Sequence, residues 1–337
     1  MSKNKYPKVN YIGNKEKLSS WICDHLPKDT NSIFDAFSGG SSIGYEAKKR
    51  GYKVYSNDIL KVNYYLAKAL IENNHITLNQ EDLNTIFQGK PLKGFMYKHY
   101  SNVYFFEDEC MELDLYKKNI KKLNCEYKQA LAFSLIRRAM IRKMPYSRFT
   151  INWEKIKLLR DEEYSYAKYK RKRAYHNQSI KFHFLDNLES YNSAIFDNNK
   201  SNKAYNSDIF KIVNKIQADI IYIDPPYSGT MNDYFGFYGL IDNYISSRNL
   251  KPFKNNFIDK KTVINLFKKL FSNLKNYKYW LISYNNNSYP SKEEMLKILS
   301  EFSNNIEVIE KHHLYKVTGK VKKQDNIEYL FLVKYNL

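Results

Sequence analysis

The chain has 337 residues, 43% of them hydrophobic, and carries a formal charge of +20 from 55 Lys/Arg against 35 Asp/Glu. That length suits one large domain or a domain with a substantial insertion, no apolar run approaches a membrane span, and the opening MSKNKYPKVNYIGNK has no apolar signal core. Cys23, Cys110 and Cys125 have neither metal-ligand nor redox spacing and fit a reducing cytoplasm, while the charge points to a polyanionic partner or, more blandly, to a soluble lysine-rich surface.

In chain order, SIFDAF at 32–37 reads as a strand, followed by a Gly/Ser turn and the helix-like SIGYEAKKRG. YKVYSND at 52–58 is a second strand, and 59–72 a second helix. This order predicts an α/β fold with a doubly wound sheet and helices on both faces. Gly39 and Gly40 let a ligand approach the backbone and the following helix N-terminus, although such glycines also serve packing alone. Asp58 ends the second strand about 20 residues after the glycine turn, where an acid reaches ribose hydroxyls or caps the next helix.

Residues 112–142 read as two helices. Residues 143–200 are polar, basic, tyrosine-rich and only weakly periodic, so a hundred-odd residues interrupt the scaffold as a subdomain. Between 137 and 173 there are thirteen Lys/Arg against four Asp/Glu, interleaved with Tyr146, Phe149, Trp153, Tyr164, Tyr166 and Tyr169. Basic groups neutralise phosphates, and Arg also reads guanine edges. Arg142 and Arg148 are candidate base readers, with Lys143 beside them. Arg171, Lys172 and Arg173 of the KYKRKR run are candidate phosphate contacts, or else a solvated charge run.

Alternation returns at NSDIF, residues 206–210, and in a buried strand at 219–223. That strand ends in Asp224-Pro225-Pro226-Tyr227. Two prolines cannot donate ladder hydrogen bonds, and the residue before a proline is held extended. The chain therefore leaves the sheet stiffly, presenting a carboxylate and an aromatic ring at the edge where ligands of open α/β sheets bind. A carboxylate and a proline carbonyl can each accept one N–H of an exocyclic amine, which draws the nitrogen toward tetrahedral and frees its lone pair. The plainer alternative is a stiff loop with a capping aspartate. A helix at 260–274, the strand KYWLISY, a helix at 291–302 and two strands flanking Gly319 and ending in EYLFLVKY complete the chain.

These segments, in this order, resemble the Dam-like DNA adenine-N6 methyltransferases that use S-adenosylmethionine. VNYIGNK at 9–15 looks like the N-terminal cofactor motif, FDAFSGG the glycine loop, YSND the ribose acid, NSDIF the adenine-binding step and DPPY the catalytic motif. LISYN and EYLFL also look familial, and a basic insertion ahead of the catalytic motif is the alpha order. The resemblance covers most of the scaffold but not the insertion.

It implies a Rossmann-like catalytic domain at 1–75 and 204–337, with 76–203 an inserted DNA-recognition region. Tyr11 and Lys15 embrace the methionine end of the cofactor, Phe37 and the Gly39 turn line it, and Asp35 lies near its amino group. Asp58 holds the ribose, Asp208 accepts from the cofactor adenine and Ile209 packs on that ring. Asp224 and the Pro225 carbonyl hold the target N6, Pro226 stiffens the loop, and Tyr227 stacks on a base flipped out of duplex DNA. No metal is implied; a companion restriction endonuclease and a cytoplasmic location are. Two departures stand out: Ser41 replaces a frequent glycine, and Ile209 a frequent aromatic. Cytosine-N4, RNA or protein-amide methylation are alternative chemistries, the last with an Asn-Pro-Pro-Tyr form that Asp224 does not match. A nicotinamide oxidoreductase would share the glycine turn and Asp58 but not the proline motif. A non-catalytic nucleic-acid-binding module would not need the intact acids.

Overall fold

The structure, a computed structural model, describes residues 4–145, 149–170, 174–227, 233–252, 256–312 and 326–335. By packing, the chain divides into two units, one of residues 14–59, 198–232 and 253–337, the other of residues 1–13, 60–197 and 233–252.

The first unit holds the sheet. Its strands are β1 (Ser32–Asp35), β2 (Lys53–Asp58), β3 (Lys203–Asn206), β4 (Ile220–Ile223), β5 (Tyr279–Asn285), β6 (Ile306–His312) and β7 (Ile327–Lys334), in the order β3-β2-β1-β4-β5-β7-β6. The first five are parallel, and β7 runs antiparallel to both β5 and β6. Every residue of β1 and of β4 is buried, which is why β4 reads as a short continuous apolar run rather than as alternation. The chain winds outward in one direction from β1 and in the other from β4, so the strand order reverses between these two neighbours. A crevice at the C-terminal ends of such strands is the usual ligand position of an open α/β sheet. Helix Val263–Ser272 buries Val263, Phe267, Leu270 and Phe271, the 3–4 spacing of an amphipathic stripe. They join Trp280 of β5, whose indole N–H donates to the Leu274 and Tyr277 carbonyls at 3.2 Å each.

The second unit is helical. Its long helix, Glu126–Lys143, is buried along most of its length and packs against Ile180–Asn192 and Lys61–Ala67. Helix Tyr234–Ser246 also belongs here: the Asp242 carboxylate accepts from the Lys61 and Val62 amides at 2.8 and 2.7 Å, satisfying donors that a helix start leaves open.

The weakly periodic stretch 143–200 is largely helical, in Trp153–Arg160, Glu162–Tyr169 and Ile180–Asn192. Each starts at a residue whose side chain accepts a helix amide (Asn152, Asp161 and Ser179), but two are too short for a 3.6-residue period to stand out. The four-residue edge strand β3 was likewise not foreseen. The packing boundaries also differ from those read in the sequence, because residues 1–13, 60–75 and 233–252 pack in the helical unit. Gly319 lies outside the described residues.

Candidate active site

Three acids stand at the C-terminal ends of parallel strands: Asp35 closes β1, Asp58 closes β2 and Asp224 follows β4. Asp35 is level with Tyr222 of β4 and Ser56 of β2, which puts it at the point where the strand order reverses. Its side chain is 1% exposed, and neither oxygen has a hydrogen bond of ordinary geometry among the described residues. Burial, then the Asp224 and Asp58 charges, push this carboxyl up to about 8. A cation beside it would relieve that cost, so the position suits the ammonium of an amino-acid moiety.

The glycine turn follows. Ser38 donates its amide to the Asn57 carbonyl at 2.8 Å, and the Gly39 amide donates to Asp58 Oδ2 at 2.9 Å, so the acid ending β2 anchors the loop leaving β1. Gly39 has φ +47°, where a side chain is disfavoured. Ser41 has φ +62° with its side chain fully buried, so a serine occupies the left-handed backbone that glycine suits best, at a cost of about 1–2 kcal/mol. This strain is the physical content of the departure at this position. Phe37 is half-buried, edge-on to Phe257 at 5.4 Å. Asp208 accepts from the Phe210 amide at 2.9 Å as a helix cap, and Ile209 lies in the apolar core.

The chain after β4 carries Asp224 and Tyr227. The Asp224 side chain keeps 16% of its exposure. Its Oδ1 accepts from the Tyr227 hydroxyl and lies 3.5 Å from Lys15 Nζ, whereas no described residue donates to Oδ2. Burial pushes the Asp224 carboxyl up to about 6; Lys15 and the Tyr227 hydroxyl pull it down, and Glu328 raises it. Tyr227 is 9% exposed, edge-on to Tyr284 at 5.0 Å, and its hydroxyl also contacts the Ser283 carbonyl at 2.7 Å. Pro225 is buried and Pro226 half-buried.

Two residues of this cluster were given no role in the sequence reading. Lys15 Nζ donates to Glu328 Oε1 at 2.7 Å, and the Ser283 hydroxyl donates to the same oxygen at 2.5 Å. The only sequence signal for Glu328 is an acid at the head of the apolar run EYLFL.

The remaining candidates lie in the helical unit or outside the described residues. Tyr11 stacks on Tyr238 and Tyr234, at 4.9 and 5.6 Å, with the Arg137 guanidinium 6.0 Å from its ring. Part of the positive charge read in the basic segment is internal. Arg137 is fully buried and donates to the Val9 carbonyl at 2.6 Å, while Arg138 is 4% exposed and donates to Asn187 at 3.2 Å. Lys143 is 2% exposed and, with Arg160, clamps Glu109 at 2.6 and 2.9 Å. Arg142 is half-buried. Arg148, Arg171, Lys172 and Arg173 lie outside the described residues.

A family model described as D12 class N6 adenine-specific DNA methyltransferase matches residues 11–298. Type II methyltransferase M2.HphI of Haemophilus parahaemolyticus is 59% identical over 334 residues, covering 99% of both chains. Modification methylase StsI of Streptococcus sanguinis and type II methyltransferase M.FokI of Planomicrobium okeanokoites are 28% and 27% identical over 97% of this chain. The chain spans about half, 52%, of the length of each of those two.

Proposed function

The chain belongs to the D12 class of N6 adenine-specific DNA methyltransferases, and from that membership we propose that Asp224 and Pro225 form its amine-accepting centre. The enzyme methylates adenine N6 in DNA. The adenine amine is a weak nucleophile because its lone pair is delocalised into the ring. Asp224 Oδ2, which no described residue engages, accepts one N6–H, and the Pro225 carbonyl accepts the other. Held between two acceptors, the nitrogen turns toward tetrahedral and its lone pair becomes available, and the proton that N6 sheds is drawn to the carboxylate side. The observation that carries the reading is this carboxylate, anchored through one oxygen by Lys15 and Tyr227 with the other left as an acceptor.

S-adenosylmethionine supplies the methyl group as a sulfonium. The residues fit such a ligand: Asp35 is a buried carboxyl without a cation, Gly39 lets a ligand approach the backbone, and Asp58 ends the neighbouring strand. We assign Asp35 to the amino group, Asp58 to the ribose, Phe37 and the Gly39 turn to the wall, and Asp208 with Ile209 to the adenine; Tyr11 and Lys15 complete the methionine end. Asp58→Ala is expected to weaken S-adenosylmethionine binding by roughly 1.5–3 kcal/mol, the worth of a charge-assisted hydrogen bond. Calorimetry on the folded variant checks this, and unchanged affinity would leave Asp58 as no more than the anchor of the Gly39 turn.

The substrate is duplex DNA with the target adenine turned out of the stack and laid against Tyr227, since an amine inside a duplex is out of reach. Arg142 and Arg148 read bases, and Arg171, Lys172 and Arg173 grip phosphates. Replacing those last three by Ala is expected to weaken binding to every duplex and to lower the log–log salt slope by about 0.9 per lost contact. Titration across a salt series is the measurement; a full slope in the variant would place the phosphate contacts elsewhere. The enzyme protects the recognition site of a companion endonuclease in the cytoplasm. The 59% identical relative bears a type II methyltransferase name, and no described helix is long and apolar enough to cross a membrane. Sequencing modified bases in DNA from cells expressing the chain tests the whole reading: N6-methyladenine at one short motif supports it, and N4-methylcytosine would overturn it.

A further inference from the structure

Asp224, Ser283 and Glu328 belong to three neighbouring segments of the sheet: the end of β4, then β5, then β7. Glu328 pairs across the β5–β7 ladder with Asn285, so Ser283, two residues back on the same face, is its diagonal neighbour. The Glu328 side chain has no exposure, and its Oε1 takes both the Ser283 hydroxyl at 2.5 Å and the Lys15 ammonium at 2.7 Å. Lys15 is thus shared unequally by two carboxylates, 2.7 Å from Glu328 and 3.5 Å from Asp224.

That inequality matters for the chemistry. An ammonium in full contact with Asp224 would take the electron density that the substrate amine needs, while no ammonium nearby would leave a desolvated carboxyl inclined to keep its proton. The observed distances lie between these extremes, and the partner that draws the lysine away is Glu328. We propose that Glu328 is a positioning residue for methyl transfer: by holding the Lys15 ammonium in its own ion pair, it keeps the Asp224 carboxylate basic, with an oxygen available to the adenine amine. The proposal rests on Asp224 as the acceptor of that amine.

The charged and titratable groups facing Asp224 are Lys15, Glu328 from β7, Tyr227 from its own loop, Tyr222 of β4 and Asp35 of β1. Lys15 lowers the Asp224 carboxyl and Glu328 raises it, so removing each must move it in opposite directions. The test is the pH profile of single-turnover methyl transfer to DNA by the full chain, with S-adenosylmethionine binding as the check on folding. Glu328→Gln is nearly isosteric and keeps an oxygen for Ser283. It is expected to shift the acid limb down by roughly one pH unit as Lys15 turns wholly to Asp224. The plateau rate should fall by up to ~100-fold, the usual scale for a displaced catalytic contact.

Lys15→Gln reads the same contact from the other side and is expected to shift the acid limb up. It also keeps the proposal testable if the Glu328 variant fails to bind cofactor, and an unmoved or lowered limb would then overturn it. Glu328→Asp, which keeps the charge, should recover most of the plateau rate. An acid limb unmoved in a cofactor-binding Glu328→Gln enzyme of normal rate would make Glu328 a purely structural acid. The failure of the underlying reading looks different: Asp224→Ala would remain active, whatever Glu328 does.

Discussion

Asp224→Ala is expected to abolish methyl transfer to DNA, a loss of at least about 10³-fold, while S-adenosylmethionine still binds. In the proposed role the carboxylate acts on the substrate amine, and the cofactor contacts assigned above use other residues. Asp224→Asn should retain a trace, because an amide oxygen still accepts one N–H but carries no charge to follow the nitrogen as it becomes cationic. The wild-type pH dependence follows from the same group. Asp224 is pushed up to about 6, first by burial, and its ionised form is the one that meets the amine N–H with a full negative charge. Transfer should therefore rise toward its plateau above pH 6 and fall as pH drops through about 6. Single-turnover rates across pH check both statements. A near-normal rate in the alanine variant would remove Asp224 from the chemistry.

Glu109→Ala is expected to destabilise the helical unit by about 3–5 kcal/mol, the cost of leaving buried charge without its partner. Glu109 lies in the first turn of helix Glu107–Ile120, where it also accepts from the Phe106 amide at 3.0 Å. It joins that helix to Lys143 at the end of Glu126–Lys143 and to Arg160 at the end of Trp153–Arg160, at 2.6 and 2.9 Å. Removing the carboxylate leaves two cations, 2% and 5% exposed, with carbonyl partners but no counter-charge at this site. Burial alone would raise the Glu109 carboxyl, but Arg160 and Lys143 outweigh it, so the folded value lies below the usual range. A depressed folded value means that this stabilisation is present above the unfolded carboxyl's range near pH 4.3 and is lost as pH falls through the lower folded value. Urea unfolding followed by a probe in the helical unit measures the loss. A change under about 1 kcal/mol would mean that water reaches the vacated site and solvates both cations.

The Asp-Pro-Pro-Tyr exit could be read directly because its geometry is local. Four buried residues followed by Asp224-Pro225-Pro226-Tyr227 dictate a strand with a stiff exit, whatever packs around them. Gly39 and Asp58 were readable for a related reason: each sits at a strand end whose position follows from chain order, and the structure joins them through one hydrogen bond of 2.9 Å. Glu328 was not readable in the same way, since 313 residues separate it from Lys15 and only strand pairing brings them together. The basic segment shows the same limit. A count of lysines and arginines treats every charge as exposed, but Arg137, Arg138, Lys143 and Arg160 are consumed inside the helical unit by Val9, Asn187 and Glu109.

The sequence by itself determined the α/β character, the strand that delivers the DPPY motif, the acids at the strand ends and the two helices read at 112–142, because each rests on short-range periodicity, backbone restriction or motif order. Only the tertiary structure decided which helices the terminal residues 1–13 and the segment 233–252 join, that β7 returns antiparallel beside β5, and that the Lys15 ammonium stands closer to Glu328 than to Asp224. Those are outcomes of long-range burial and of competition between charges for one partner, and neither leaves a mark in the spacing of residues along the chain.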